Sequence, residues 1–111
     1  MKQLMLKSDV DDKVITTTRT KPEDVFGYDA IVLGINKNDK TEGFLVKEKV
    51  KLDGRCKIQI GYELITPYYW IDSTSQFEYL WELQKFYDLF IFEDMISLQK
   101  YMCDNNIKWA R

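Results

Sequence analysis

The sequence predicts an α+β fold: a mostly antiparallel sheet of about five to six strands in the first two thirds, then a helix, a strand and a helix packed on that sheet. Residues 2–66 hold short apolar runs separated by Asp, Asn and Gly turn formers, which is the pattern of strands. Residues 75–87 and 92–106 carry apolar side chains at helical spacing. A chain of 111 residues builds one core, so we expect a single globular domain over residues 1–111.

The first half is predicted to consist of strands joined by turns. KQLMLK and VITTTRT flank the acidic turn formers SDVDD, which predicts a hairpin near residues 8–12. Pro22 and Gly27 bracket a predicted helical turn. YDAIVLGI is apolar at odd and even positions alike, and this predicts a central strand covered on both faces.

The segment EGFLVKEKVKLDGRCKIQIGYELI predicts a second hairpin with its turn near Gly54. We expect an odd-numbered loop or a bulge at Gly54, because that register makes one face of the hairpin apolar. The pairs predicted on this face are Leu52 with Cys56, Val50 with Ile58 and Val46 with Tyr62. The other face then carries Gln59 and four cations: Lys47, Lys49, Lys51 and Lys57.

Two helices are predicted after Pro67, which ends strand pairing. Ser75 and Glu78 have the spacing of a capping box, so the first helix is expected to run from Ser75 to about Tyr87. DLFIF predicts a strand. The second helix has acidic residues at its positive end and an apolar stripe of Met95, Leu98 and Met102.

Aromatic residues are concentrated in one part of the chain: ten of the sixteen lie between positions 68 and 92. On a helical wheel the apolar arc of the first helix spans roughly 220°, about twice what a helix lying on one sheet needs. Either the second helix or the terminal IKWAR covers one flank of this arc, or a flank stays open and binds a partner. In both cases we expect Leu80, Leu83 and Tyr87 to lie in the core.

The candidate partner-binding residues are aromatic side chains on the helix flanks, the loop before the helix, and two helix carboxylates. Aromatic anchors carry a disproportionate share of the binding energy in protein interfaces. Successive residues of an extended loop point in opposite directions, so the loop triplet cannot all enter one core. The complete set is Tyr68, Tyr69, Trp70, Tyr79, Trp81, Phe86, Glu78 and Glu82, with Tyr79 and Phe86 on one flank and Trp81 on the other.

The side chains that most catalytic and metal sites use are scarce. There is no histidine, which removes the commonest general base and the usual zinc ligand. Cys56 and Cys103 are far apart and are expected to be reduced thiols facing the core. No phosphate-binding glycine loop, dinucleotide fingerprint or nucleophile elbow is present. We therefore expect no catalytic residue, no cofactor and no metal, in a protein that is not an enzyme.

The net charge of −2 is distributed unevenly. Residues 1–60 hold twelve Lys and Arg against ten Asp and Glu, whereas residues 61–111 hold four against eight. This weak polarity disfavours a general nucleic-acid or membrane binder. No apolar window approaches the length of a spanning helix, so we expect a cytoplasmic protein.

These features predict a small protein-binding module that inhibits or modulates an enzyme stoichiometrically, through the aromatic flank and nearby carboxylates. Phage-encoded anti-defence proteins and toxin-immunity proteins share this general character. The acidic second half suits a nucleic-acid-processing enzyme as partner, because carboxylates can occupy its phosphate-binding cleft. Two alternatives stay open: a nucleic-acid-binding protein that uses the lysine face, and a homodimer joined through the apolar arc.

Overall fold

The described part of the chain is a mostly antiparallel sheet with two helices, in agreement with the predicted α+β class. A computed structural model describes residues 2–5, 30–67 and 76–110. The strands are β1 (Lys2–Leu4), β2 (Ile31–Asn36), β3 (Glu42–Asp53), β4 (Cys56–Ile65), β5 (Gln76–Phe77), β6 (Tyr87–Phe92) and β7 (Lys108–Trp109). The helices are α1 (Leu80–Leu83) and α2 (Met95–Asp104).

The strands follow the order β1-β6-β2-β3-β4-β5, and β7 pairs in parallel with the first residues of β3. β2 is the central strand that its apolar sequence predicts, since it pairs with β6 on one side and β3 on the other. The hairpin predicted near residues 8–12, the helical turn after Pro22, and Ser75 lie outside the described residues.

Each face of the sheet has its own hydrophobic core. The first core lies under α1 and contains Leu4, Val32, Val46, Tyr62, Leu64, Leu80, Leu83, Tyr87, Leu89 and Ile91. The second core lies under α2 and contains Leu33, Ile35, Leu45, Ile65, Phe92, Leu98, Met102 and Ile107. Neighbouring residues of β2, such as Val32 and Leu33, belong to different cores because side chains alternate along a strand. The prediction that Leu80, Leu83 and Tyr87 are core residues is confirmed.

The first helix is much shorter than the sequence predicts. Helical geometry is confined to Leu80–Leu83, while Gln76–Phe77 forms a strand paired with β4 and Tyr87 begins β6. Pairing with β4 gives residues 76–77 ladder hydrogen bonds, and the rings of Phe77 and Tyr87 meet edge to face at 6.4 Å. Tertiary pairing has therefore overridden the helical spacing, and the wheel of residues 75–87 does not describe this segment.

The register predicted for the β3–β4 hairpin is wrong. Asp53 pairs with Cys56 around a two-residue turn, in which Gly54 has a φ of 62° as the first position of a type II′ turn requires. The extra residue is a bulge beside Gly61, where Lys49 pairs with Gly61 and Val50 pairs with Gln59. The observed pairs therefore include Leu52 with Lys57, Val50 with Gln59 and Val46 with Leu64.

Both cysteines are free, but neither faces the core as the sequence predicts. Cys56 is exposed because it closes the turn of a hairpin that extends past both cores. Cys103 is exposed because α2 buries a narrow stripe through Leu98 and Met102, and the next residue along the helix turns away from the sheet.

The start of α2 is fixed by an N-cap at the acidic position that the sequence indicates. Asp94 is extended, and its Oδ1 accepts a hydrogen bond from the backbone N–H of Ser97 at 2.7 Å. This bond satisfies one of the amides that an α-helix leaves without an internal partner. The backbone N–H of Ser97, followed by its hydroxyl, holds the pKa of Asp94 below the ordinary value of 3.8.

Replacement of Asp94 by alanine is expected to lower the melting temperature at neutral pH and to matter less in acid. A carboxyl whose pKa is depressed in the folded state stabilises that state above its unfolded pKa, and the contribution is lost as pH falls through the folded value. The difference in melting temperature between the wild type and Asp94→Ala should therefore shrink below pH 3.8. Thermal melts followed by circular dichroism from neutral pH to strong acid measure it; a difference that grows in acid would contradict this origin.

Candidate protein-binding site

α1 is held by its own carboxylate. Glu82 Oε2 accepts hydrogen bonds from the backbone N–H groups of Glu78 at 3.0 Å and Tyr79 at 3.2 Å. Tyr79 is extended and is the N-cap, so Glu82 supplies the returning half of a capping box. The sequence nominates both Glu78 and Glu82 as partner contacts. In the structure the Glu82 carboxylate caps the N-terminus of its own helix, whereas Glu78 is exposed.

The position of α1 on the sheet depends on Gly61. Its φ of 154° lies in a region that L side chains rarely adopt, and a Cβ there would lie 2.5 Å from the carbonyl oxygen of Phe77. Only glycine allows β5 to approach β4 this closely. The bulge at β4 therefore sets where β5 lies, and β5 leads directly into α1.

The ring of Tyr79 stacks on the ring of Trp81, with centroids 5.7 Å apart and an interplanar angle of 10°. Both side chains are half-buried. Lys85 Nζ lies 4.8 Å from the centroid of the Trp81 ring, within the range of a cation–π interaction. The structure thus brings Tyr79 together with Trp81, which the helical wheel places on the opposite flank.

Phe86 is the most exposed aromatic side chain that the structure describes, at 59%. It lies in the turn between α1 and β6, with its ring 6.0 Å from that of Phe77. We call the surface formed by Tyr79, Trp81, Lys85 and Phe86 the α1 patch. Tyr68, Tyr69 and Trp70, the other aromatic candidates, lie outside the described residues.

The two segments expected to cover a flank of the first helix lie elsewhere. α2 and Ile107 pack in the second core, on the face of the sheet opposite α1. Trp109 also packs against that second core. Neither segment therefore covers the α1 patch, in which Lys85 and Phe86 are exposed and Tyr79 and Trp81 are half-buried.

Two residues of this region escaped the sequence analysis although the sequence carries a signal for each. Lys85 follows Trp81 by four positions, the spacing at which helical side chains meet. Gly61 is an isolated glycine within a strand pattern, which indicates a bulge or a close backbone approach. Both signals are short-range features of the sequence.

The predicted face of four lysines is wrong as a set. Lys47, Lys49 and Lys51 alternate along β3 and share one face, but Lys57 pairs with Leu52 and so lies on the opposite face. Lys47 also pairs with Glu63, which offsets part of its positive charge.

A cavity of about 290 Å³ lies at the end of α1, bordered by Met5, Lys37, Lys85 and Asp88 among others. Its volume is near the lower limit for small-molecule sites, so it suits a side chain better than a cofactor. Within residues 2–5, 30–67 and 76–110, no three His, Cys, Asp or Glu side chains are grouped so that they could hold a metal ion. No helix in those ranges is long and apolar enough to cross a membrane.

No protein-family model matches the chain, and no curated protein or solved structure matches it either.

Proposed function

We propose that this protein is a non-catalytic protein-binding module that inhibits or modulates an enzyme stoichiometrically, with the α1 patch as its contact surface. The observation that carries the proposal is the exposure of Phe86, at 59%, in the turn that follows α1. Tyr79 and Trp81 stack at the N-terminus of the same helix, and α2 packs on the opposite face of the sheet. Phage-encoded anti-defence proteins and toxin-immunity proteins are the functional class to which such a module belongs.

The α1 patch has the composition of a binding hot spot. Aromatic residues are enriched at the centres of protein interfaces, where each can bury roughly 150 to 250 Å². The rings are also held in place before binding, because Tyr79 and Trp81 stack on each other and Lys85 lies over the indole. Contacts that are ordered in advance lose less conformational entropy on association.

The acidic side chains near the patch have unequal parts in this proposal. Glu82 caps α1 and so contributes by holding Tyr79 and Trp81 in position. Glu78 is exposed and remains a candidate for direct contact at the rim of the patch. The aromatic rings supply the central contacts, and the charge of Glu78 at the rim contributes to orientation and association rate.

The function is tested by capturing the partner from a lysate of the native host with the full chain and titrating its activity. A partner enzyme should lose or change activity up to one equivalent of this protein and show no further change beyond it. Isothermal titration calorimetry of the same pair should give a one-to-one end point. If the activity of the captured protein were unaltered at a saturating concentration of this protein, the proposed inhibitory or modulating function would be wrong.

Nucleic-acid binding is the second candidate, because Lys47, Lys49 and Lys51 share one face of β3. If phosphates bind there, the double variant Lys47→Glu/Lys49→Glu should abolish the binding of a single-stranded oligonucleotide, and wild-type affinity should fall steeply with salt. Fluorescence anisotropy measures both effects. We expect the opposite result, weak binding that the double variant barely changes, because the proposed function uses the α1 patch.

A further inference from the structure

The β3–β4 hairpin extends beyond both cores as a two-stranded ribbon, which we define as residues 47–60. Within the described residues, β3 pairs with β2 only through Gly43–Val46, and β4 pairs with β5 only through Tyr62 and Glu63. Residues 50–58 are all exposed. A ribbon of two strands is only marginally stable in water, so a long one gains stability from a partner.

Four large aliphatic side chains of the ribbon are exposed to solvent. Leu52 is 68% exposed, Val50 46%, Ile58 45% and Ile60 38%. Val50 and Leu52 lie two positions apart on β3 and therefore share one face. They form a short apolar row along this strand.

The opposite face of β3 carries three lysines, Lys47, Lys49 and Lys51, before it reaches Asp53 at the turn. Between Glu48 and Asp53, Lys49 and Lys51 alternate with Val50 and Leu52, so this stretch of β3 presents lysines on one face and aliphatic residues on the other. The ribbon as a whole holds five Lys and Arg against two Asp and Glu, in a chain whose net charge is −2. This positive charge fits an acidic ligand.

The chemistry of the ribbon selects a protein segment over a nucleic acid. Residues 47–60 contain no aromatic side chain, so the ribbon itself offers no ring on which bases can stack. Exposed valine and leucine instead match the aliphatic side chains of a polypeptide.

We propose that the ribbon binds an extended segment of the partner protein as an added strand along β3, and that this segment alternates acidic with aliphatic residues. An added strand of this kind places its aliphatic side chains beside Val50 and Leu52 and its carboxylates beside Lys49 and Lys51, because side chains on neighbouring strands meet on the same face. Main-chain hydrogen bonds supply affinity, and the alternating pattern supplies specificity. The inference rests on the proposed function only in taking the partner to be a protein.

The test uses the full chain and a fluorescein-labelled synthetic peptide that alternates glutamate with valine. A second peptide has the same composition with all glutamates before all valines. We expect the alternating peptide to bind about tenfold more tightly than the second peptide, because only the alternating one can match both faces of β3. Lys51→Glu and Leu52→Gln should each weaken its binding, measured by fluorescence anisotropy.

The matched controls are Lys100→Glu and Ile96→Gln, which change an exposed lysine and an aliphatic side chain 80% exposed on α2. They should leave peptide binding unchanged.

Equal binding of the two peptides, or no binding of either, would overturn the inference. The inference would also be overturned if a single-stranded oligonucleotide bound more tightly than the peptide and Leu52→Gln did not change its affinity. A dimer detected by light scattering that Leu52→Gln dissociates would overturn it as well. Phe86→Ala should not affect peptide binding. If this variant no longer binds the captured enzyme, that result tests the proposed function separately from the inference about the ribbon.

Discussion

Replacement of Gly61 by alanine is expected to lower the free energy of unfolding by about 2–5 kcal/mol, the combined scale of a disfavoured backbone conformation and an overpacked contact. Its φ of 154° is unfavourable for alanine, and the new Cβ would lie 2.5 Å from the carbonyl oxygen of Phe77. A backbone oxygen cannot move aside as a flexible side chain can. β5 must therefore shift away from β4, and α1 must shift with it. Urea denaturation measures the change.

Gly54→Ala is the matched control, because Gly54 also has a positive φ, 62°, but a Cβ there has nothing within 4 Å. Gly54→Ala thus reports backbone strain alone, while Gly61→Ala reports strain and collision together. Gly61→Ala should also weaken binding of the partner, since α1 carries the patch. If Gly61→Ala were as stable as the wild type, β5 would not be packed against the bulge.

Leu83→Ala is expected to lower the free energy of unfolding by about 2–5 kcal/mol, the usual result of emptying a leucine site in a core. Leu83 is the last residue of α1, the helix that carries the patch, and its side chain is fully buried in the first core. The loss is large against a total stability of about 5–15 kcal/mol for a domain of this kind. Chemical denaturation gives the stability, and titration of the captured partner gives the effect on the patch.

Leu98→Ala provides the comparison on the other face of the sheet. Leu98 is equally buried, but it belongs to the second core, under α2. We expect a similar loss of stability and, at a temperature where both variants stay folded, a loss of partner binding only for Leu83→Ala. Equal effects of the two substitutions on binding would show that the patch does not depend on the core beneath it.

The parts of the fold that the sequence predicts well are those in which local pattern and tertiary contact agree. β2 is apolar at every position from Ile31 to Ile35 apart from Gly34, and it is covered on both faces. α2 combines the cap at Asp94 with a buried stripe through Leu98 and Met102. For these elements the spacing of apolar residues and the final environment impose the same structure.

The predictions that fail are those in which a distant strand decides the outcome. Residues 76–77 have helical spacing, but pairing with Tyr62 and Glu63 of β4 makes them a strand. The face occupied by Lys57 depends on where the hairpin contains its one extra residue. That residue lies in the bulge beside Gly61 and not at the turn. A displacement of one residue moves every following side chain to the other face, so local turn chemistry alone cannot fix the register.

The sequence nominates the aromatic residues of the candidate site but does not determine their geometry. The exposure of Phe86 follows from its place in a turn, which in turn follows from the early end of α1 at Leu83. The stacking of Tyr79 on Trp81 requires Tyr79 to be extended ahead of the helix rather than inside it. The sequence predicts Glu82 as a surface carboxylate because its hydrogen-bond partners depend on where the helix begins. They are backbone N–H groups at the N-terminus of α1, which differs from the predicted start at Ser75.

The central claim is that the protein binds its partner through aromatic side chains that its fold leaves open around α1. The most direct test compares the affinity of the captured enzyme for Phe86→Ala and for Ile96→Ala, two exposed side chains on opposite faces of the sheet. By calorimetry, Phe86→Ala should weaken binding about thirtyfold, as the loss of an interface hot spot does, and Ile96→Ala should bind like the wild type. Wild-type affinity in Phe86→Ala, with the protein folded, would contradict the account.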